Sequence, residues 1–171
     1  MSVALENARL FNETMRLLDE SKKRTDELST VNSISQAIVG HLEINKLIDL
    51  VGEKVRALFK ANIVYVALLD KETEMINFPY GYGDEYPPLK LGDGLTSKII
   101  LSKEPLLINR KTDEREEVII GTPSSSYLGV PIPVGDHIIG VVSVQSTEKE
   151  NLFTEDDMRL LNTIAAHVGI A

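Results

Sequence analysis

From Val3 to Val39 the chain contains neither proline nor glycine, the residues that break helices most strongly. The whole stretch is therefore expected to form one helix. At about 1.5 Å per residue it would extend about 55 Å, farther than a small folded body can cover. A second helical pattern closes the chain, from Phe153-Thr154 to Ala171. A rod at each end suits a module through which a mechanical bias could pass.

Within the first helix Leu10, Thr14, Leu17, Ser21, Arg24, Leu28, Val31, Ser35 and Ile38 follow alternating steps of three and four. This is the 3.5-residue spacing of a coiled-coil seam. The seam is apolar toward its ends and polar at Ser21 and Arg24, which weakens a coil but can set its register. The competing reading is an amphipathic helix lying on its own domain. Pairing with a second copy is preferred, with Leu10, Leu17, Leu28, Val31 and Ile38 as dimer contacts. In the closing helix Leu161, Ile164 and Val168 step similarly and join the candidate interface.

The 171 residues are 43% hydrophobic, enough for a core, and the formal charge is −8. Acids bracket the densest basic cluster, Lys22-Lys23-Arg24, which argues against a nucleic-acid footprint. There is no cysteine, so disulfides, thiolate nucleophiles and thioether-linked cofactors are excluded. Apolar runs such as Ile63 to Leu69 are too short to cross a bilayer, and no secretion signal opens the chain. No nucleic-acid or membrane partner and a cytoplasmic location are expected.

Gly40-His41 is expected to end the first helix, with a second from Glu43 to Phe59. Ile63 to Leu69 reads as a central covered strand, Asp70 to Thr73 as a turn, and Met75 to Phe78 as the returning strand. Tyr80 to Lys90 reads as a loop. A short helix, Leu95 to Leu101, and a short strand, Pro105 to Ile108, follow. Asn109 to Pro123 reads as a charged loop holding the apolar island Val118-Ile119-Ile120. Tyr127–Val134 and His137–Ser146 form a hairpin about Gly135-Asp136, with pairing weakened at Pro131 and Pro133. Thr154 and Asp157 form a capping pair. Strands outnumber crossovers, so the class is α+β, an antiparallel sheet with helices grouped on one face.

In this order stand the strings Leu58-Phe59-Lys60-Ala61, Gly92-Asp93-Gly94-Leu95, Pro105-Leu106-Leu107-Ile108, Tyr127-Leu128-Gly129-Val130-Pro131-Ile132, Ile139-Gly140-Val141-Val142-Ser143-Val144 and Phe153-Thr154-Glu155-Asp156-Asp157. Together they resemble the GAF family of small-molecule sensory domains. The resemblance covers roughly residues 30 to 171. It implies a sheet of five to six antiparallel strands, the long and closing helices on one face and a ligand pocket on the other. Residues 1–27 are then an inter-domain coiled-coil linker and residues 28–171 the sensory domain. Tandem members of the family often continue their closing helix with a string like Ala4-Leu5-Glu6-Asn7-Ala8-Arg9-Leu10-Phe11. A segment of a multidomain protein is therefore expected, covalently linked to an output such as a histidine kinase, a nucleotide cyclase or a chemotaxis-type domain.

No enzyme motif stands out, and a non-catalytic role is expected. Ser124-Ser125-Ser126 lacks a nucleophile elbow and reads as a polar loop. Gly92-Asp93-Gly94 lacks the Lys-Ser/Thr of a phosphate loop, although its N–H groups could meet an anion. His41, His137 and His167 match no metal spacing, and Asp84-Glu85 and Glu116-Glu117 read as solvated loop acids. Bilin-binding and sulfoxide-reducing members of the family use cysteine, which this chain lacks. Cyclic-nucleotide-binding members carry Asn-Lys after the last strand, where this chain has Gln145-Ser146. The resemblance implies a pocket walled by Phe78, Tyr80, Tyr82, Thr96 and Tyr127, with Asp93 as a further candidate, for a small molecule the sequence does not name. Four roles remain open: a ligand-sensing homodimer that acts on its output domain through its helices, a dimerising module without ligand, a cyclic-nucleotide binder, and a small enzyme on the same fold, against which the missing cysteine and triad weigh.

Overall fold

The computed structural model describes residues 2–111 and 120–170. The chain divides into two units, Met1–Ile44 and Asn45–Ala171. This division falls later than the 27/28 boundary expected from sequence. The first unit consists of most of helix α1, which spans Val3–Leu58 without interruption. The expected stop at Gly40-His41 is corrected: Gly40 is helical, and one glycine costs a helix interior only about 1 kcal/mol, too little to end so long a run. Hydroxyls that could compete with the helix are absorbed by it. Thr14, Thr25, Thr30 and Ser33 each donate to the carbonyl four residues earlier, at 2.8–3.0 Å. Arg24 pairs with Glu20 at 2.9 Å, so this polar seam position has a partner on its own helix.

The second unit is an antiparallel sheet of six strands in the order β3-β2-β1-β6-β5-β4. The strands are β1 Ile63–Asp70, β2 Met75–Tyr82, β3 Leu89–Lys90, β4 Leu106–Ile108, β5 Ser126–Val134 and β6 His137–Ser146. Helix α2, Gly94–Ser102, lies between β3 and β4 in sequence, and α3, Glu155–Ile170, follows β6. β1 is central and buried along most of its length, as its unbroken apolar run requires. β5 and β6 pair through both prolines to a two-residue turn closed by Val134 and His137. Gly135 has φ +58°, the first position of a type II′ turn. β4 reaches only to Gly129, so Pro131 and Pro133 sit where β5 has a neighbour on one side alone.

The two sheet faces carry separate cores. On one, Val64 and Val66 of β1, Leu128, Val130 and Ile132 of β5 and Val142 and Val144 of β6 pack with helical residues. Those residues are Ile48 and Val55 of α1, Phe59 just beyond it, and Leu161 and Ala165 of α3. On the other, Tyr65, Ala67, Ile76, Tyr127 and Val141 pack with Ile99 and Ile100 of α2. The start of α3 is fixed as expected: the Thr154 N–H donates to Asp157 Oδ2 at 2.9 Å, and the Asp157 N–H donates to Thr154 Oγ1 at 3.2 Å.

A bulge in β2 sets what each face receives. Val66 pairs with Tyr80, but Leu68 pairs with Asn77, so Ala67 stands opposite Phe78 and Pro79 together. The extra residue reverses the alternation of β2. Ile76 and Phe78 face the α2 side, while Tyr80 belongs to the core beneath α1.

Candidate functional site

On the α2 face a small cavity is walled by Tyr65, Phe78, Tyr86, Thr96, Tyr127 and Gln145, with Leu89, Gly94, Leu95, Ile120, Thr122 and Ser124 around them. The positions open to the centre of a water molecule amount to about 30 Å³, room for one or two waters. Its floor is a chain of hydroxyls. The Tyr65 hydroxyl shares hydrogen bonds with Thr96 Oγ1 at 2.7 Å and with the Tyr127 hydroxyl at 2.8 Å. Burial pushes both phenols up, that of Tyr127 well above its ordinary value, so both remain protonated and can donate.

Ser143, opposite Tyr65 on β6, is fully buried. Its hydroxyl lies near enough to Tyr65 and Tyr127 to oppose the rise of both phenols, but among the described residues it completes no hydrogen bond of full geometry. An orphaned hydroxyl there has unspent capacity, at a cost of about 1–3 kcal/mol.

Three rings form the wall. Tyr65 meets Phe78 edge-on at 5.3 Å and Tyr86 at 4.9 Å, and Phe78 stacks on Tyr86 at 5.0 Å with planes 27° apart. Gln145 Nε2 donates to the Tyr86 hydroxyl over a long 3.4 Å. The Tyr86 loop is held by its neighbour Asp84, whose Oδ2 accepts the Thr122 N–H at 2.7 Å and whose Oδ1 accepts the Glu85 N–H at 2.9 Å. Burial alone would raise the Asp84 carboxyl, but these N–H donors outweigh it and hold the carboxyl below its usual range. Asp84 is thus a tether between two loops and not the solvated acid expected.

Of the residues expected in the pocket, the structure brings together Phe78, Thr96 and Tyr127. Tyr80 and Tyr82 are corrected to the opposite face, because the bulge at Phe78–Pro79 reverses the alternation that would have kept them with Phe78. Tyr80 packs beneath α1 and donates to Glu53 Oε1 at 2.8 Å, while Tyr82 lies under the Arg56 guanidinium, 3.7 Å from its ring centroid. Asp93 is exposed, outside the cavity wall, at the position before α2, and its side chain makes no capping bond. Gly92 beside it has φ +132°, which favours glycine, and its N–H donates to Ser97 Oγ at 3.1 Å.

Ser124 and Ser126, expected in a polar loop, are buried, and Ser126 Oγ donates to the Lys149 carbonyl at 2.7 Å. Glu116-Glu117 and the Val118-Ile119 part of the apolar island lie outside the described residues, whereas Ile120 borders the cavity. Sequence reasoning missed Tyr65, Tyr86, Ser143 and Gln145. The signal for Tyr65 was a hydroxyl-bearing ring in an otherwise aliphatic strand.

The candidate dimer contacts divide in two. Leu10, Leu17, Leu28, Val31 and Ile38 of α1 are each more than half exposed. Leu161 is corrected: it is wholly buried in its own protomer's core, and Ile164 and Val168 lie half-buried against that core. Among the described residues there is no group of acids and histidines arranged for a metal ion, and no helix long and apolar enough to cross a membrane.

A sheet with helices α1 and α3 on one face and an aromatic, hydroxyl-floored cavity on the other is the α+β arrangement expected from the order of elements. The family model of the GAF domain matches residues 41–171, and the chain belongs to that family. It is 25% identical over 165 residues to the formate hydrogenlyase transcriptional activator of Salmonella typhimurium, covering 87% of this chain and 23% of the activator. The chain thus spans under a quarter of the curated relatives it matches.

Among solved structures, the GAF domain of an Acinetobacter phosphoenolpyruvate-protein phosphotransferase matches with TM-score 0.66 at 20% identity, over 74% of this chain and 80% of that one. The type II free methionine-R-sulfoxide reductase of Thermoplasma acidophilum matches with TM-score 0.66 at 18% identity, over 74% and 90%. At these identities the likeness is one of fold.

Proposed function

We propose that this chain is a non-catalytic sensory GAF domain. A small molecule held in the Tyr65–Thr96–Tyr127 cavity biases the setting of its terminal helices, and paired α1 helices of a homodimer pass that bias to a covalently linked output domain. The observation that carries the reading is the cavity, where an aromatic wall meets a linked hydroxyl floor and a fully buried hydroxyl that has no partner among the described residues. Such a floor can both donate to and accept from a neutral guest. The regulatory character of the curated relative agrees with this role. The absence of cysteine favours it over the thiol chemistry expected of sulfoxide-reducing members.

A second reading, a dimerising module without ligand, is favoured by the cavity's small open volume, since its own rings fill most of the space. Native mass spectrometry of the full chain purified from cells separates the two. The sensory reading predicts excess mass on each protomer that is lost on denaturation and absent from Leu89→Trp, which plugs the rim. Bare protomers under all purification conditions would leave the ligand-free module.

A further inference from the structure

β2 changes faces in mid-course, and the residues on either side of the change are tied to different parts of the molecule. Before the bulge, Phe78 belongs to the site through its contacts with Tyr86 and Tyr65. After it, the strand is fastened to α1. The Tyr80 hydroxyl donates to Glu53 Oε1 at 2.8 Å. Arg56 bridges Glu53 at 3.4 Å and covers the Tyr82 ring at 3.7 Å. Glu53 and Arg56 thus grip two aromatics of one strand and each other.

Little slack exists at this attachment. The Tyr80 ring lies so close to Gly52 that a Cβ there would stand 2.4 Å from its Cδ1 and Cε1. Burial first, and the Glu53 carboxylate second, push the Tyr80 phenol up to about 12, so it remains a donor at neutral pH. In a regular strand Phe78 and Tyr80 would face the same way. The bulge puts them on opposite faces only about 7 Å apart along the backbone, at about 3.3 Å per residue. Close-packed interiors transmit displacement better than they absorb it.

We propose that the bulge at Phe78–Pro79 makes β2 a lever between the ring stack and the last turns of α1, with Tyr80 and Glu53 as its point of attachment. A displacement of Phe78 or Tyr86 is delivered to α1 at Glu53 and Arg56. The lever deepens the sensory reading, since it is the route by which an occupant of the cavity would be felt on the helix side. It needs no occupant to be tested.

The test is amide hydrogen exchange on the full chain, comparing residues 48–58 of α1 with residues 157–168 of α3, which packs on the same sheet face against β5 and β6. Tyr86→Ala removes the outer ring of the stack. It is expected to raise exchange in 48–58 roughly threefold or more while leaving α3 unchanged, as a local and not a global opening. In a Tyr80→Phe background, which keeps the ring but deletes the attachment, the same substitution adds little to 48–58. Phe78→Leu and Glu53→Gln serve as the second pair should either first variant fold poorly. Equal changes in both helices, or an undiminished response when the attachment is absent, would overturn the lever. Because no ligand is added, such a failure counts against the lever and leaves binding to be judged by mass spectrometry.

Discussion

A buried hydroxyl is tolerable only when another polar group answers it, and Tyr65 answers two. Its replacement by Phe strands Thr96 Oγ1 and the Tyr127 hydroxyl together, beside a Ser143 hydroxyl that already has no partner among the described residues. Urea unfolding is expected to show Tyr65→Phe about 1–3 kcal/mol less stable than wild type at pH 7. The pH dependence follows from the raised phenol. A folded-state pKa above the unfolded value of about 10 contributes stability that is fully present below pH 10 and lost as pH rises through the folded value. The stability of the wild type should therefore fall above pH 10. In Tyr65→Phe the fall should be shallower, by up to about 1.4 kcal/mol per pH unit. An identical slope in both proteins would mean that Tyr65 does not hold its proton on folding. From sequence, Thr96 and Tyr127 were legible through the resemblance, since one follows and the other opens a family string. Tyr65 was not, because an apolar run announces burial without saying which face a hydroxyl meets.

At the scale of elements, two glycines of α1 teach opposite lessons. Gly40 was read as a stop, but propensity is a weak local penalty and the surrounding residues carry the helix through it. Beyond its own helix backbone and chain neighbours, nothing among the described residues lies within 4 Å of a Cβ added there, so Gly40→Ala is expected to stabilise by about 0.5–1 kcal/mol. Gly52→Ala, driven into the Tyr80 ring, is expected to destabilise by about 1–3 kcal/mol. Thermal melts of the two variants should move in opposite directions, and a shared direction would refute the packing at Tyr80. The strand pattern was legible wherever alternation was unbroken, as along Leu128, Val130 and Ile132 of β5. It failed at β2 because one inserted residue inverts every later side chain, and nothing in Phe78-Pro79-Tyr80 fixes where a bulge falls. β3 escaped notice for a simpler reason: Leu89–Lys90 is too short to show a period.

At the scale of the molecule, the sheet with helices on one face and a cavity on the other was legible from the order of elements and the family strings. What sequence alone left open is what covers α1. Its apolar seam residues Leu10, Leu17, Leu28, Val31 and Ile38 remain largely exposed within one chain, and a sustained 3.5-residue spacing is matched best by a second copy of itself. Relay through the helices requires that pairing, since a bias delivered to an unpaired rod has no second setting to favour. The most direct measurement is sedimentation equilibrium of the full chain beside Leu28→Glu/Val31→Glu, which places charge in the seam without touching the sheet. The account predicts a dimer for the wild type and a folded monomer for the variant. A wild type that stays monomeric at every concentration, or a variant that dimerises unchanged, would contradict it.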